Sequence, residues 1–184
     1  MFVVVEGLTG SGKSTVTNLL VEEFGFERVV VKRQALEEAL RAVEDDLTAL
    51  EVRHALFWSA TLWSGLDVER ALAADQPVVS DSWVYRTIAT HEALGSRLTT
   101  PIPAFLPKPN FTILLEVDES VRKARTAARG RPNGHWKQQC EAHSDEIIAW
   151  YRQNVPNLRT VKNSGDLHAL RTQLAAEIAD FADE

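Results

Sequence analysis

The chain has 184 residues, a formal net charge of −6 at pH 7 and one cysteine, which suits a single domain with a sizeable core and excludes an internal disulfide. The acidic balance argues against a general nucleic-acid binder, whose surface would be basic, so no nucleic acid polymer is expected among its partners. Neither a signal peptide nor an apolar run of membrane-spanning length is recognisable, and we expect a cytoplasmic protein without a membrane anchor.

A short apolar run opens the chain and leads into a glycine-rich loop. The run, Phe2–Glu6, is typical of a buried parallel strand. The loop, Gly7–Ser14, reads GLTGSGKS and has the G-x-x-x-x-G-K-[ST] spacing of a phosphate-binding P-loop. Apolar side chains at helical spacing follow over Thr15–Phe24. Strand, loop and helix therefore come in the order that a site for the triphosphate of a nucleotide requires.

The residue types in this loop suit ATP and Mg²⁺ as ligands. Glycines let the backbone curl with its N–H groups inward, and a helix that begins near Lys13 adds unpaired N–H groups and a positive dipole end. Lys13 supplies a cation for the β- and γ-phosphates, and the hydroxyl of Ser14 can ligate Mg²⁺. A glycine turn without a ligand is the alternative. The predicted donor-binding residues of this segment are Gly7, Thr9, Gly10, Ser11, Gly12, Lys13, Ser14 and Thr15.

Four more strand candidates alternate with helical patterns along the rest of the chain. They are Arg28–Lys32, Pro77–Asp81, Asn110–Val117 and Leu158–Lys162. This alternation predicts one α/β domain over residues 1–184, with a three-layer P-loop fold in which helices cover both faces of a five-stranded parallel sheet.

A long segment of helical composition, Gln34–Ala74, carries an aromatic-rich patch that includes Phe57 and Trp58. Core packing is the simpler interpretation of this patch. The alternative is that its aromatic side chains line an acceptor pocket and stack on a planar ring. Gly65 is expected to loosen the helix, because glycine is a poor helix former.

The third strand candidate ends in a carboxylate, Asp81. Ligands of such sheets bind beyond the carboxyl ends of the strands, so Asp81 is predicted to face the bound phosphates. There it can hold Mg²⁺ or accept the proton of an attacking hydroxyl group. Its alternative role is the N-cap of a helix predicted over Ser82–Leu94, and the two roles are compatible. Arg86, one turn along that helix, is a further candidate by position alone.

A proline-rich stretch from Leu98 to Asn110 predicts a loop, and a helix is predicted over Asp118–Ala128. This helix ends in a basic segment with glycine and proline punctuation, which favours a mobile lid at approximately residues 125–136. Cations placed favourably at a helix C-terminus are the alternative explanation. The lid arginines predicted to stabilise charge during phosphoryl transfer are Arg125, Arg129 and Arg131.

The last part of the chain predicts two helices, one on each side of the fifth strand. The first spans Trp136–Tyr151, with acidic side chains such as Glu141 in solvent. Asn163 begins a short loop after the strand and is expected to help bind the base of the donor nucleotide. The final helix, Asp166–Phe181, is predicted to pack one apolar face on the core. That face consists of Leu167, Leu170, Leu174 and Ile178.

Taken in order, these segments resemble the thymidylate kinase and deoxynucleoside kinase group of P-loop phosphotransferases. The matching pieces are VEGL with the P-loop, LFWSA, VVSD, PNFTILLEV, the basic segment Arg125–Arg131 and the final strand, loop and helix. The resemblance covers most of the chain and is most specific at the P-loop. It implies a kinase with ATP and Mg²⁺ on the P-loop, a lid and a small-molecule acceptor. Members are often dimers through the long helix, so a homodimer is compatible with the sequence.

Two positions depart from the thymidylate kinase pattern. The family usually has Asp-Arg and an aromatic residue at the end of the third strand, where this chain has Asp81, Ser82 and Trp83. It also has an arginine after the aromatic patch, where local matching places Leu62. Both arginines help to hold the acceptor's phosphate in the family, and a partly buried phosphate needs such partners. Their loss predicts an acceptor without a phosphate, or one held by other cations.

The resemblance also assigns candidate residues to the acceptor. Arg33 matches a position that can touch the acceptor's phosphate, Arg86 can reach back one turn to replace the missing arginine, and His91 falls where the family often has a residue facing the base. The acceptor-binding residues predicted in this way are Arg33, Phe57, Trp58, Trp83, Arg86 and His91. Deoxynucleoside kinases carry a glutamate motif for the general base that is replaced here, which leaves Glu6 and Asp81 as candidates for the base.

The leading prediction is an ATP- and Mg²⁺-dependent kinase that transfers the γ-phosphate to a nucleoside or nucleotide, with a nucleoside-type acceptor favoured. A second hypothesis keeps the kinase but gives it another hydroxyl compound as acceptor, such as a natural product or a modified base. A third hypothesis, from another class, is a nucleotide-binding switch or regulatory NTPase, although no guanine-reading N-K-x-D run is present.

Overall fold

Five strands form one parallel sheet within the residues that the computed structural model describes, which are 1–31, 34–43, 49–128, 134–163 and 165–182. The strands are β1 (Phe2–Glu6), β2 (Glu27–Val29), β3 (Val78–Asp81), β4 (Phe111–Glu116) and β5 (Leu158–Lys162). Their order in the sheet is β2-β3-β1-β4-β5, and all four pairings are parallel. Every residue of the central strand β1 is buried, as expected for a parallel sheet covered on both faces.

Helices cover both faces of this sheet. In the described residues they are α1 (Lys13–Phe24), α2 (Gln34–Ala42), α3 (Leu50–Ala73), α4 (Val84–Ala93), α5 (Glu119–Ala128), α6 (His135–Ala142), α7 (Ser144–Asn154) and α8 (Leu167–Ala182). Side chains of β1 alternate between two apolar cores, because successive strand residues point to opposite faces. Phe2 and Val4 pack with residues of α3, α4 and α7, whereas Val3 and Val5 pack with residues of α1 and α8.

The predicted α/β architecture, a five-stranded parallel sheet with flanking helices, is confirmed, and β1 and β5 have the predicted bounds. The second strand was predicted over Arg28–Lys32 but spans Glu27–Val29. It lies at the edge of the sheet, where its pairing with β3 ends at Val29 opposite Ser80. Lys32 lies outside the described residues. The third and fourth strands are slightly shorter than predicted.

Two segments predicted as single helices each contain two. The segment Gln34–Ala74 holds α2 and α3, and the segment Trp136–Tyr151 holds α6 and the start of α7. α6 and α7 meet at His143, whose φ of −108° and ψ of 25° depart from helical values. This break changes the direction of the chain and places α6 against the helix that precedes the predicted lid.

Two predictions about single residues in helices were wrong. α3 continues through Gly65 without a break, and a Cβ at this glycine would lie 2.9 Å from Cδ1 of Leu106. Glycine therefore admits the proline-rich loop rather than loosening the helix. Leu167 is 42% exposed, because the buried face of α8 begins one turn later at Leu170. No helix among the described residues is long and apolar enough to cross a membrane.

Candidate active site

The glycine-rich loop lies between the end of β1 and the start of α1 and has the backbone shape that its sequence predicts. Gly10 and Gly12 have φ angles of 87° and 96°, which lie in the left-handed region that favours glycine. A Cβ on Gly10 would approach the carbonyl oxygen of Arg122 to 2.7 Å. A Cβ on Gly12 would collide with Nδ2 of Asn163. Both glycines are therefore required by the turn and by the close approach of neighbouring elements.

Lys13 and Ser14 begin α1 directly after the loop. Nζ of Lys13 donates hydrogen bonds to the carbonyl oxygens of Gly7 at 2.8 Å and Leu8 at 3.2 Å, so the ammonium group lies over the loop. The hydroxyl of Ser14 donates to Oδ2 of Asp81 at 3.0 Å. A hydroxyl and a carboxylate at this separation are the hard oxygen ligands that Mg²⁺ prefers, so the residues present fit that ion.

Asp81 occupies the position beyond β3 that places it beside the loop. β3 pairs with β1, with Asp81 opposite Val5, and this pairing carries the carboxylate next to Ser14. The alternative prediction, that Asp81 caps the following helix, was wrong. α4 begins at Val84, and its N-cap residue, Trp83, makes no side-chain capping hydrogen bond. The intervening residue, Ser82, has a φ of 77°, an uncommon conformation for a residue with a side chain.

Glu6 is fully buried beneath this edge of the sheet. Its Oε1 accepts a hydrogen bond from the backbone N–H of Trp83 at 2.8 Å, and its Oε2 accepts one from the hydroxyl of Tyr151 at 3.0 Å. Burial raises the pKa of Glu6 to about 7, although the charge of Arg86, the N–H of Trp83 and the charge of Lys13 act in the opposite direction. The carboxyl group therefore connects the end of β1 with the residue before α4 and with Tyr151 of α7.

A pocket of about 380 Å³ lies between β2, α3, α4 and α6, and it opens towards the loop. We call it the acceptor pocket. Its lining includes Thr9 of the loop and Asp81. The predicted acceptor residues that line it are Phe57, Trp83, Arg86 and His91. Trp58 instead packs against the apolar core, and Arg33 lies outside the described residues.

Arg86 lies half-buried between the loop and the acceptor pocket. Its Nη1 donates a hydrogen bond to the carbonyl oxygen of Gly7 at 3.1 Å. Arg86 therefore places its positive charge beside the glycine-rich loop. Arg86 is thus a link between the donor loop and the pocket, where either ligand can contact it.

His91 is buried and also lines the acceptor pocket. Its ring stacks on that of His54, with centroids 4.6 Å apart and planes 16° apart. The rings of Trp136 and Phe57 are tilted against it at 5.2 Å and 6.0 Å. Nδ1 lies 2.7 Å from the carbonyl oxygen of Thr87. These contacts form an aromatic wall suited to a planar ring.

Sequence reasoning missed Arg53, which precedes Phe57 by one turn of α3. Arg53 is 5% exposed, and its guanidinium lies 3.8 Å from the ring centroid of Trp136 and 4.9 Å from that of Phe57. Leu62, at the position where the resemblance places an arginine, packs against the apolar core. The i, i+4 spacing of Arg53 and Phe57 was the one local signal, because residues so spaced share a helix face. The long helix thus carries an arginine one turn before the aromatic patch, at Arg53, and a leucine after it, at Leu62.

A second missed arginine, Arg122, connects the loop to the helices around the predicted lid. It is 4% exposed, donates two hydrogen bonds to Glu141 and donates a third to the carbonyl oxygen of Thr9 at 3.2 Å. The prediction that Glu141 is merely solvated was therefore wrong. Hydrogen bonding with Arg122 lowers the pKa of Glu141 and keeps it ionised.

The remaining predicted donor-site residues flank the loop. Asn163 is buried, and its Nδ2 donates a hydrogen bond to the carbonyl oxygen of Ser11 at 2.8 Å. Arg125 lies beside Gly12 and Gly165: its Nη1 and Nη2 are 3.9 Å and 3.4 Å from where Cβ atoms on these glycines would be. Thr15 is exposed on α1. Arg129 and Arg131 lie outside the described residues.

Comparison with known proteins places this geometry in a family. The family model for thymidylate kinase matches residues 5–164. A probable thymidylate kinase from Pyrobaculum aerophilum is 29% identical over 70% of this chain and 71% of its own. A deoxyguanosine kinase from Bacillus subtilis is 26% identical over 86% of this chain and 80% of its own. The structure of thymidylate kinase from Candida albicans has the same P-loop kinase fold, with a TM-score of 0.76 at 17% identity over 97% of this chain and 91% of that one.

Proposed function

The chain belongs to the thymidylate kinase family and is a phosphotransferase, and we propose that it transfers the γ-phosphate of ATP to a hydroxyl group of a nucleoside. The observation that carries this proposal is the continuity of the two sites. Thr9 and Asp81 line the acceptor pocket, and Asp81 is also hydrogen-bonded to Ser14 of the P-loop. An acceptor held against the aromatic wall therefore points towards the terminal phosphate of the donor.

The donor end supplies positioning and charge. Backbone N–H groups of the loop and of the first turn of α1 surround the phosphates, and Lys13 turns from the loop carbonyls to the β- and γ-phosphates. Ser14 and Asp81 would hold Mg²⁺, which neutralises charge on these phosphates. Arg125, Arg129 and Arg131 remain the proposed lid cations. Most of the rate then comes from alignment and electrostatics.

Asp81 is better placed than Glu6 to orient the attacking hydroxyl group. Asp81 lines the acceptor pocket, whereas both oxygens of Glu6 accept hydrogen bonds from Trp83 and Tyr151. A general base has to lie within hydrogen-bond reach of the proton that it accepts. We therefore propose that Asp81 contacts the acceptor hydroxyl group and the metal. Glu6 instead holds the backbone after β3 in place through its hydrogen bond with the N–H of Trp83.

The acceptor is proposed to be a nucleoside because neither position of the missing family arginines offers a cation. Leu62 packs in the apolar core, and Ser82 has a short neutral side chain. A nucleoside monophosphate is the second candidate, since several cations approach the pocket from other elements. Those that line it are Arg28, Arg53, Arg86 and Lys137. Arg28 and Arg53 are already engaged, with Asn18 and with the rings of Trp136 and Phe57.

An acceptor panel tests this proposal directly. The protein is incubated with ATP, Mg²⁺ and each of the common nucleosides, their monophosphates or unrelated hydroxyl compounds, and ADP release is measured. We expect release that depends on a nucleoside. Turnover with monophosphates alone would replace the nucleoside by the second candidate, and turnover only with unrelated hydroxyl compounds would exclude both. ADP release that no acceptor stimulates would favour a regulatory NTPase.

Asp81→Asn tests the shared role of this carboxylate. The variant is expected to lower kcat by about 100-fold with the best acceptor, because an oriented acceptor of the hydroxyl proton and a metal ligand are lost together. It should also need more Mg²⁺ for half-maximal activity. Asp67→Asn, on the surface of α3 beside Arg70, is the matched control and should leave both quantities unchanged. Wild-type kcat in Asp81→Asn would exclude the assignment.

A further inference from the structure

Arg122 of α5 does not line the acceptor pocket, yet it contacts two segments that do. Its Nη1 donates a hydrogen bond to the carbonyl oxygen of Thr9, which belongs to the glycine-rich loop and lines the pocket. Both Nη atoms donate to the carboxylate of Glu141 on α6. The residues of α6 that line the pocket are Trp136, Lys137 and Cys140. One guanidinium group therefore joins the loop side of the pocket to its α6 side.

The contact between α5 and α6 depends on this ion pair, because a cavity lies between the two helices. The cavity has a volume of about 580 Å³, and its lining includes Arg122 and Thr126 of α5 with Lys137 and Glu141 of α6. Closely packed side chains hold neighbouring helices together, whereas the walls of a cavity lack such contacts. The position of α6 relative to α5 is therefore set by the pair more than by apolar packing.

The geometry of the pair is that of a strong, directional interaction. Nη1 of Arg122 lies 2.6 Å from Oε2 of Glu141, and Nη2 donates to Oε1 of the same carboxylate. Such a two-pronged contact fixes both the distance and the angle between its partners. The side chain of Arg122 is 5% exposed, so a change at Glu141 would leave an almost buried charge without its partner.

The position of Glu141 also sets the position of the α6 side of the pocket. Glu141 lies one turn after Lys137, and Cys140 lies one turn after Trp136. The backbone hydrogen bonds of a helix fix these residues relative to one another, so they move together. From α3, the guanidinium of Arg53 lies 3.8 Å from the ring centroid of Trp136. α6 is thus held from two sides, by Arg53 and by Arg122.

We propose that Arg122 is a positioning residue for the acceptor: by holding Thr9 and Glu141 together, it keeps α6 at the distance from the glycine-rich loop that a bound acceptor requires. The inference rests on the proposed nucleoside kinase activity and adds a residue that acts through others instead of touching the acceptor. A pocket side that is already in place lowers the free-energy cost of binding. A displaced α6 would also misalign the acceptor's hydroxyl group with the terminal phosphate.

Two conservative variants test this inference with the best acceptor of the panel. Glu141→Gln keeps the side-chain length and removes the charge, whereas Arg122→Lys keeps the charge and loses the parallel N–H groups. In each, KM for the acceptor is expected to rise about tenfold while KM for ATP changes less than about twofold, because the pocket alone loses its preformed shape. The double variant should be little worse than the worse single one, since both changes remove one interaction. Glu119→Gln, beside Lys123 on the exposed side of α5, is the matched control.

Cys140 provides a second measurement that needs no turnover. It is the only cysteine of the chain, and it lies half-buried on α6 in the acceptor pocket. Its rate of reaction with DTNB, an aromatic disulfide, therefore reports how often α6 opens. We expect this rate to rise at least about fivefold in Glu141→Gln and in Arg122→Lys, and to stay unchanged in Glu119→Gln.

The ionisation of the thiol has to be separated from its exposure. Burial raises the pKa of Cys140, and the charge of Glu141 raises it further. Glu141→Gln therefore eases ionisation even if α6 does not move. The rate constants compared are consequently those of the fully ionised thiol, taken from pH profiles. Arg122→Lys keeps both charges of the pair and shows the effect of exposure directly.

The outcomes separate this inference from the function on which it rests. Either unchanged Cys140 reactivity or an unchanged KM for the acceptor in both variants would overturn the role of Arg122. An equal rise of both KM values would overturn it as well, because the pair would then support the donor loop or the whole fold. Absence of turnover with every nucleoside and monophosphate would overturn the proposed function, and the Cys140 rates would still decide whether the pair holds α6. If Arg122→Lys does not fold, Glu141→Gln and its control decide both measurements.

Discussion

The donor loop and the acceptor pocket meet at Asp81 but are built in different ways. The loop is one continuous segment, and its ligand-binding groups are mainly backbone N–H groups positioned by glycines and a helix start. The acceptor pocket takes side chains from β2, α3, α4 and α6, which lie far apart in the chain. The donor loop therefore tolerates few substitutions, because its backbone shape depends on each glycine. In the acceptor pocket, by contrast, a side chain lost from one helix can be replaced by a similar side chain from another.

The arginines show this difference most clearly. The loop retains Lys13 at the motif position, where its ammonium group contacts the loop carbonyls. Leu62, at one position where the resemblance places an arginine, packs against the apolar core instead of lining the pocket. Arg53, one turn before Phe57, lines the pocket and lies over the Phe57 ring. The pocket therefore carries a cation beside its aromatic rings, but at neither of the two positions where the resemblance places the arginines that hold an acceptor's phosphate.

Lys13→Ala tests the donor loop and is expected to have the largest effect. Since this lysine belongs to the donor loop and not to the acceptor pocket, kcat should fall equally with every acceptor. Removal of the cation that we propose to face the β- and γ-phosphates is expected to lower kcat by about 10³-fold. Initial rates of ADP release with saturating nucleoside measure the effect, and circular dichroism checks the fold. Lys108→Ala, an exposed lysine in the proline-rich loop, is the control. Full activity of Lys13→Ala would refute the assignment of the donor site.

Arg53→Ala should change the KM for the acceptor without changing the KM for ATP, because Arg53 lines the acceptor pocket and not the donor loop. Loss of a guanidinium stacked on Trp136 and Phe57 is expected to raise KM for the nucleoside about tenfold, while KM for ATP stays the same. Arg53→Lys should restore little, since an ammonium group lacks the planar surface.

Steady-state kinetics with each substrate varied in turn measure the Arg53 effect. Arg70→Ala, on the exposed side of the same helix, serves as the control. An equal change in both KM values would show that Arg53 supports the fold as a whole and does not belong to the pocket.

Glu6→Gln is expected to have the smallest effect on activity. Its effect should be seen instead in how the stability of the protein depends on pH. The folded protein raises the pKa of Glu6 from its ordinary 4.5 to about 7. The stability that this group contributes is therefore present below pH 4.5 and is lost as the pH rises through 7. Glutamine carries no ionisable proton, so the melting temperature of the variant relative to wild type should rise between pH 5 and pH 8.

Thermal unfolding at several pH values measures this difference, with the exposed Glu69→Gln as the control. The pKa of His91 is lowered to about 3, and its contribution to stability is lost as the pH falls below its ordinary 6.5. His91 is the same in both proteins, so its contribution cancels. Parallel pH profiles for Glu6→Gln and wild type would contradict the raised pKa.

Much of the fold was predictable because its signals are local. β1, the loop and α1 follow one another without interruption, and β5 has the bounds that its sequence pattern predicts. The break at His143 was missed because neither glycine nor proline marks it. The interaction of Arg122 with Glu141 was missed because α5 and α6 lie on opposite sides of the predicted lid, and helical spacing relates residues only within one helix.

Both the parallel sheet and the glycine-rich loop could be predicted without a structure, since strand alternation and glycine conformations depend on neighbouring residues in the chain. The sequence also predicted four of the residues that line the acceptor pocket, Phe57, Trp83, Arg86 and His91, whereas Arg53 and Trp136 were added to it only by the packing of the helices. Arg53, His91 and Trp136 come together only when α3, α4 and α6 pack around one pocket. Packing likewise decided that Glu6 is buried among Trp83 and Tyr151, whereas Asp81 faces the site. The physical reason is that burial and long-range contacts, which set both pKa values and pocket shape, have no local sequence pattern.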